Sequence, residues 1–219
     1  MTEIVLASNN KKKIAELKTL LTGVEIRSLR DIGFTGAIVE DGTTFEENSL
    51  IKAAVPARLG YIGIADDSGL SVDALDGAPG IYSARYSGEG ATDESNRKKL
   101  LSALSQTPTE ERGAHFVCTA SVVFPENGGY VIPEEWRISG ELSERIGIPR
   151  ERAMVVRGEC FGRILTEERG EGGFGYDSLF MFDSLGRTFA ELSDTEKNGV
   201  SHRGNAMREF TRRLAAILN

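Results

Sequence analysis

The sequence predicts a mixed α/β fold in which a β-sheet is flanked by helices. In the first half of the chain, short apolar segments typical of strands alternate with segments whose apolar residues recur at helical spacing. In the second half, several β-branched and aromatic segments follow one another, as neighbouring strands do. A chain of 219 residues, 40% of them apolar, is long enough to bury a substantial core.

The elements of the first half are punctuated by polar turns and capping residues. Pro56 is expected to kink or shorten the second helix. Asp66 and Asp67 directly follow a buried strand. The predicted elements are a strand over 4–7, a helix between the caps Ser8 and Gly23, a helix over 45–59, a strand over 61–65, a loop with short helical pieces over 72–87, and a helix capped by Thr92 or Asp93.

The second half predicts strands over 114–124, 157–165 and 176–182, and a closing amphipathic helix over 201–218. Glycines and prolines interrupt residues 126–156, so we expect this segment to be a surface insertion in a single domain that spans 1–219.

The bulk composition excludes several classes of protein. A net charge of −7 argues against a nucleic-acid-binding surface, so any phosphate ligand should be small and held locally. No apolar run approaches membrane-spanning length, and the apolar start is too short for a signal peptide. Cys118 and Cys160 lie in apolar surroundings, which predicts free thiols in a cytoplasmic protein, with a single disulfide as the alternative.

Acidic residues near positions 40 and 67 predict a cation site. Two carboxylates at the end of a buried strand destabilise the fold unless a metal ion or hydrogen bonds offset their charge, although Asp-Ser-Gly is also a common turn. Thr44 to Asn48 have the composition of a capped helix start, but Glu40 precedes that turn and capping does not explain it. Mg²⁺ typically takes one or two carboxylates together with phosphate and water.

Basic residues at two predicted helix starts favour an anionic ligand. Lys11 to Lys13 follow the first strand, and Lys197, His202 and Arg203 lie around the start of the last helix. Cations oppose the helix dipole at this end by a few tenths of a kcal/mol each. A bound phosphate would remove that conflict, whereas a solvated basic turn is the alternative.

The segment from Gly170 to Gly175 matches the spacing Gly-x-Gly-x-x-Gly. A dinucleotide site requires the motif to open a helix, but a strand is predicted directly after it, so we reject that interpretation. The interpretation that remains is a flexible turn close to a ligand, in which Phe174 or Tyr176 would be able to stack on a base.

Taken together, these segments resemble the Ham1-like family, the inosine triphosphate pyrophosphatases. The resemblance extends from residue 4 to about residue 218 and rests on six motifs in order. They are Ser8-Asn9-Asn10-Lys11-Lys12-Lys13, Glu40 to Asn48, Ala65-Asp66-Asp67-Ser68-Gly69-Leu70, Gly77 to Tyr86, Gly172 to Asp177, and Ser201-His202-Arg203.

The resemblance implies an elongated α/β fold of two lobes with a central active-site cleft. It also implies Mg²⁺-dependent hydrolysis of ITP, dITP, XTP or dXTP to the monophosphate and pyrophosphate, by a cytoplasmic homodimer. Asp67 would accept a proton and bind metal, with Glu40 and Asp66 assisting. The triphosphate would be held by Ser8, Asn9, Asn10, Lys11, Lys12, Lys13, Lys52 and Ser68. The nucleotide and its base would be framed by Phe174, Gly175, Tyr176, Asp177, Lys197, His202 and Arg203.

The sequence departs from the family pattern at two places, and two other functions are alternatives to the one that the resemblance implies. Residues 126–156 are longer than the usual connection, and the proline common after Gly-Tyr-Asp is absent after Asp177. A Maf-like pyrophosphatase with another base preference is one alternative. A nucleotide-binding protein without turnover is the other, but such a protein has no need of a water-activating acid.

Overall fold

A mixed β-sheet of seven strands flanked by helices organises the part of the chain that the computed structural model describes, residues 3–8 and 24–219. This architecture confirms the predicted α/β class. The strands are β1 Glu3–Leu6, β2 Glu25–Ser28, β3 Ile62–Val72, β4 Gly113–Val123, β5 Ala153–Ile164, β6 Phe180–Phe182 and β7 Arg187–Thr188. Their order in the sheet is β2-β1-β3-β4-β5-β6-β7.

Strand β1 runs parallel to both of its neighbours, β2 and β3, whereas β5, β6 and β7 pair antiparallel. The helices of the described ranges are α1 Phe45–Arg58, α2 Asp93–Ala103, α3 Gly140–Ile146, α4 Asp194–Val200 and α5 His202–Leu218. None of them is both long enough and apolar enough to span a membrane. The helix predicted between Ser8 and Gly23 lies outside the described residues.

The chain divides into two compact units, each with its own core. The first comprises Met1–Asp67, Thr119–Arg157 and Ala206–Asn219, and the second comprises Ser68–Cys118 and Gly158–Asn205. The core of the first unit buries residues such as Ile4, Ile64, Phe210 and Leu214. The core of the second unit buries Leu100, Phe180 and Phe189 among others.

Strand β3 is longer than the sequence predicts. We expected a strand that ends at Asp66 and Asp67, but β3 continues through both carboxylates to Val72. Its neighbour β4 is also an eleven-residue strand, and hydrogen bonding along that partner outweighs the weak strand propensity of Asp, Ser and Gly. The acidic pair therefore lies inside a strand.

The strand predicted over 176–182 is also wrong in its first half. Only Phe180–Phe182 forms β6, because the amide groups of Leu179 and Phe180 both donate to the carbonyl oxygen of Tyr176 and close a turn there. Strand β5 begins at Ala153, earlier than expected. The predicted helices over 45–59 and 201–218 are confirmed by α1, which ends two residues after Pro56, and by α5.

The connection between β4 and β5 contains α3 and buries Ile132, Ile138 and Ile148. Its assignment as a surface insertion stays a prediction. Cys118 and Cys160 are buried and not bonded to each other, which confirms the expected free thiols.

Candidate active site

Two carboxylates and one ammonium group meet in the first unit. The Lys52 Nζ atom lies 3.0 Å from Glu40 Oε2 and 2.7 Å from Asp67 Oδ1. Glu40 precedes α1, Lys52 lies on α1 and Asp67 lies on β3. The fold thus brings together the two carboxylates that the sequence assigns to a cation, and it adds a lysine between them.

Burial and neighbouring charges change the proton affinity of this cluster. Burial raises the pKa of the Asp67 carboxyl, and the charges of Glu40 and Asp66 raise it further, so the pKa stays above its ordinary value despite the pairing with Lys52. Burial alone would lower the pKa of Lys52, but Asp67 and Glu40 outweigh it and the pKa is raised. Lys52 therefore keeps its charge, while Asp67 is a stronger base than an exposed aspartate.

The Glu40–Asp67 pair also has the chemistry of a magnesium site. No group of three or more His, Cys, Asp or Glu side chains that would suit a metal ion is found within residues 3–8 and 24–219. Mg²⁺ does not require one, since a pair of carboxylates, substrate phosphates and water complete its octahedron. The Lys52 ammonium already places a positive charge where oxygens of both carboxylates converge. The two residues therefore fit a divalent cation that arrives with a phosphate ligand.

The turn directly after Glu40 is fixed by the capping of α1. Thr44 is the N-cap, and its hydroxyl accepts a hydrogen bond from the Glu47 amide group at 3.2 Å. The Glu47 carboxylate accepts in return from the amide and the hydroxyl of Thr43, at 2.6 and 2.9 Å. The capping interpretation of this segment is therefore confirmed, and capping holds the backbone next to Glu40.

Two arginines bind the acids in the first turn of α1. Arg157 pairs with Glu46 at 2.7 Å, and Arg145 of α3 pairs with the buried Glu47 at 2.6 Å. Arg145 also donates to the Thr43 hydroxyl at 2.7 Å. Glu46 and Glu47 therefore stabilise the start of α1 through their arginine partners. Glu40 is the acid of this segment that meets Asp67 at the Lys52 ammonium group.

The structure describes only some of the other residues that were predicted to bind the triphosphate or the metal. Leu6 pairs with Ile64 in the parallel register of β1 and β3, and the Ala7 amide group donates to the Ile64 carbonyl oxygen at 2.7 Å, so the chain follows β3 up to the residue before Ser8. Asp66 is buried, and Ser68 is exposed on β3. The remaining predicted residues lie outside the described ranges, namely Asn9, Asn10, Lys11, Lys12 and Lys13.

A second cluster surrounds Lys197 in the other unit. The Lys197 Nζ atom lies 2.6 Å from Asp177 Oδ2, and it sits over the rings of Phe174 and Phe189, at 4.8 and 5.5 Å from their centroids. Asp177 is buried, whereas the Phe174 ring is 74% exposed. The fold therefore presents an open aromatic ring beside a partly buried ammonium group that pairs with a buried carboxylate.

Tyr176 does not share that exposure. Its ring is buried in the core of the second unit, and its hydroxyl donates to the Ser83 carbonyl oxygen at 2.9 Å. Burial raises the pKa of the phenol well above its usual value. The structure therefore places the Tyr176 ring in the core, and Phe174 is the ring available for stacking. The contact of Tyr176 with the substrate stays a prediction.

His202 and Arg203 are the first two residues of α5, and both side chains are partly buried. The His202 ring stacks on Phe116 at a centroid distance of 4.7 Å and an interplanar angle of 15°. It also lies nearly parallel to Phe189 at 6.4 Å. Phe189 therefore contacts both Lys197 and His202, which joins the two predicted basic residues through one buried ring.

The Gly-x-Gly-x-x-Gly segment forms an irregular turn and opens no helix. A Cβ atom at Gly173 would lie 2.2 Å from Asp177 Oδ2, and the positive φ of 75° also favours glycine there. This geometry supports the rejection of a dinucleotide site, although the strand that we expected after the motif begins only at Phe180.

The sequence profile of the Ham1 family matches residues 4–213. The chain belongs to the Ham1 family. Two bacterial relatives carry the name dITP/XTP pyrophosphatase. The protein from Desulfotalea psychrophila is 46% identical over 218 residues, which cover 98% of this chain and 86% of that protein. The protein from Geobacter sulfurreducens is 47% identical over 210 residues, which cover 94% of each chain.

Solved structures of Ham1 proteins share the fold. The Staphylococcus aureus Ham1 protein is 37% identical with a TM-score of 0.83, and the match covers 98% of this chain and 99% of that one. The Coxiella burnetii Ham1 protein is 36% identical with a TM-score of 0.84, and the match covers 99% of this chain and 100% of that one.

Four residues beside the clusters of this Ham1-family chain have no site role in the predictions from the sequence, although Asp93 was expected as a helix cap. Thr119 of β4 donates its hydroxyl to the Phe45 carbonyl oxygen at 2.9 Å and so ties β4 to the start of α1. Phe189 underlies Lys197, while Asp93 and Arg97 contact the backbone of the glycine-rich turn. The four-residue spacing of Asp93 and Arg97 on a predicted helix was the available signal.

Proposed function

We propose that this Ham1-family protein is a nucleoside triphosphate pyrophosphatase acting on non-canonical purine nucleotides. It hydrolyses dITP, ITP, XTP and dXTP to the monophosphate and pyrophosphate, and so removes these nucleotides from the pool. The observation that carries the proposal is the convergence of Glu40 and Asp67 on the Lys52 ammonium. The two curated relatives named dITP/XTP pyrophosphatase support the choice of substrate.

Asp67 is the general base in this proposal. A carboxylate whose pKa is raised by burial accepts a proton more readily than an exposed one. It takes a proton from the attacking water as the water oxygen bonds to the α-phosphorus. The bond from the α-phosphorus to the bridging oxygen breaks, and pyrophosphate leaves with that oxygen. Lys52 orients the carboxylate through the 2.7 Å contact to Asp67 Oδ1.

Mg²⁺ is the expected cofactor, and Glu40 and Asp67 would hold it, with Asp66 as a further candidate ligand. When bound, the ion supplies Lewis-acid polarisation of the phosphate and a lower pKa for water. The residues of the chain contribute positive charge for the departing pyrophosphate, which is the electrostatic contribution that dominates most phosphoryl-transfer catalysis. We assign this role to Lys52 and to Lys11, Lys12 and Lys13. Ser8, Asn9, Asn10 and Ser68 supply neutral donors.

Base recognition belongs to the Lys197 cluster in this proposal. The exposed Phe174 ring offers a stacking surface, and Lys197 is an ammonium donor 4.8 Å from its centroid. Hypoxanthine and xanthine carry an oxo acceptor at position 6, where adenine has an amino group. A hydrogen-bond donor facing position 6 pairs with hypoxanthine and with xanthine. Adenine leaves that donor unpaired, and this disfavours the binding of adenine nucleotides. Asp177, Gly175, His202 and Arg203 complete the frame.

We expect the enzyme to act as a homodimer in the cytoplasm, as its family resemblance implies. The test of oligomeric state is sedimentation of the purified protein, where a monomer at assay concentrations would contradict the dimer and leave the activity untouched.

The test of function is pyrophosphate release from dITP, XTP, dUTP, TTP and dATP, each measured with Mg²⁺ and with a chelator. We expect turnover of dITP and XTP in the presence of Mg²⁺ and little turnover of dATP. Preference for dUTP or TTP would instead identify a Maf-like specificity. Saturable ITP binding without pyrophosphate release would identify a binding protein and overturn the proposal.

A further inference from the structure

The peptide backbone of Gly175 is held at both ends by one helix. The Gly175 amide group donates to Asp93 Oδ2 at 2.7 Å, and the Gly175 carbonyl oxygen accepts from Arg97 Nη1 at 2.9 Å. Asp93 and Arg97 both belong to α2. Because Gly175 directly follows Phe174, these two hydrogen bonds fix the chain next to the exposed ring.

The start of α2 is suited to this role. Asp93 is the first residue of the helix, and Arg97 follows four positions later, so the two side chains lie one turn apart on the same face. Thr92 and Ser95 form a reciprocal capping box that fixes the first turn. The helix therefore presents an acceptor and a donor at a defined separation.

Arg97 is itself anchored to the residues on either side of the glycine-rich turn. Its Nε atom lies 2.9 Å from Glu168 Oε2, and the Ser178 hydroxyl donates to that same oxygen at 2.8 Å. The Arg97 side chain is only 18% exposed. Glu168 precedes the turn and Ser178 follows it, so the guanidinium group joins α2 to both ends of the turn.

The Phe174 ring depends on this support because, apart from the Lys197 ammonium group 4.8 Å from its centroid, little packing holds it. The ring is 74% exposed, and its backbone amide is fixed on the other side by Asp177 Oδ2 at 2.8 Å. Gly175 has a φ of +62°, in the left-handed region where glycine is conformationally free. Without a restraint on Gly175, the direction of the ring would vary.

We propose that Asp93 and Arg97 are positioning residues for base recognition, because they clamp Gly175 and thereby aim Phe174 at the base. This inference rests on the proposed function, in which Phe174 stacks on the base of the substrate. In this proposal the clamp serves base recognition and has no part in proton transfer, so it acts on substrate affinity and leaves the chemical step unchanged.

The test compares Arg97→Met with Lys98→Met in the full chain. Methionine keeps the apolar stem and removes the donors. Lys98 is the adjacent exposed residue, and its ammonium group pairs with Glu94 one turn earlier on α2. We expect Arg97→Met to raise KM for dITP by about tenfold and to leave kcat unchanged. A tenfold change corresponds to the loss of one hydrogen bond from a charged donor. Lys98→Met should match the wild type, and Arg97→Lys should recover part of the affinity.

A double-mutant cycle with Phe174→Ala separates the clamp from a general structural role. If Arg97 acts through the ring, Arg97→Met should add no further rise in KM once Phe174 is alanine. An equal rise in KM in both backgrounds, or a fall in kcat with KM unchanged, would overturn the clamp. A wild-type protein that releases no pyrophosphate from dITP or XTP would instead overturn the proposed function, and the clamp with it.

Discussion

Gly63 of β3 lies against the carbonyl group of Ala53 in α1, so close that a Cβ atom at Gly63 would be 1.9 Å from that oxygen. Lys52 is the residue before Ala53, and Asp67 lies further along the strand that contains Gly63. The absence of a side chain at Gly63 therefore sets how closely the helix bearing Lys52 approaches the strand bearing Asp67.

Gly63→Ala should destabilise the protein, because α1 must move away from β3 to admit the methyl group. We expect a loss of about 1–3 kcal/mol, typical of overpacking in a core, and reduced turnover of dITP. The measurement is the urea midpoint together with kcat. Gly140→Ala is the matched control, since a Cβ atom at Gly140 meets nothing within 4 Å. Equal midpoints for the two variants would contradict the close contact.

Asp67→Asn should leave the fold intact and lower kcat for dITP by about 10²–10⁴-fold, the usual contribution of a general base. The amide retains the shape of the carboxylate but accepts no proton. Steady-state kinetics and a thermal melt measure the two effects separately. Asp41→Asn, at an exposed acid next to Glu40, is the control. A rate close to that of the wild type would remove Asp67 from this role.

Arg145→Met should destabilise the first unit, because it leaves the buried Glu47 carboxylate without its 2.6 Å partner. Losing the partner of a buried charge costs about 3–5 kcal/mol, and we expect roughly half of that because the Arg145 side chain is itself 46% exposed. Chemical denaturation measures the loss. The double variant Arg145→Met/Glu47→Gln should regain part of the stability, since glutamine still accepts hydrogen bonds from Thr43. A double variant as unstable as the sum of both changes would exclude this ion pair as the cause.

The thiols should be unreactive in the native protein. Burial raises the pKa of Cys160 to about 11, and both Cys160 and Cys118 are buried. An aromatic disulfide reagent at pH 8 should therefore react slowly with the folded protein and rapidly with both cysteines after urea is added. Fast reaction without denaturant would contradict the burial of these thiols.

The same pKa predicts a loss of stability at alkaline pH. Between about pH 9 and 11 the Cys160 thiol ionises in the unfolded chain but keeps its proton in the folded one. The unfolded state then binds fewer protons, so the free energy of unfolding falls as pH rises through this window. Urea midpoints measured from pH 8 to pH 11 should fall less steeply for Cys160→Ala than for the wild type. Parallel slopes for the two proteins would exclude Cys160 as a source of the dependence.

Local signals in the sequence were sufficient for most helices. The start of α1 at Phe45 and that of α2 at Asp93 depend on caps within four residues, and the apolar spacing of α5 depends on one helix face. Such interactions join residues that are close in the sequence, so the local order of residue types is enough to predict them. The family resemblance likewise depends on short motifs read in order.

The tertiary structure decided what depends on partners distant in the chain. Strand β3 continues past Asp67 because β4 pairs with it. Tyr176 is buried because its ring packs in the core and its hydroxyl donates to the Ser83 carbonyl oxygen. The sequence by itself determined that Glu40, Lys52 and Asp67 are charged residues in three separate segments. The sequence also predicted that Glu40 and Asp67 share a cation site. Only the packing of α1 on β3 decided that the Lys52 ammonium group lies between them, because a contact between distant segments depends on both segments and cannot be read from either one alone.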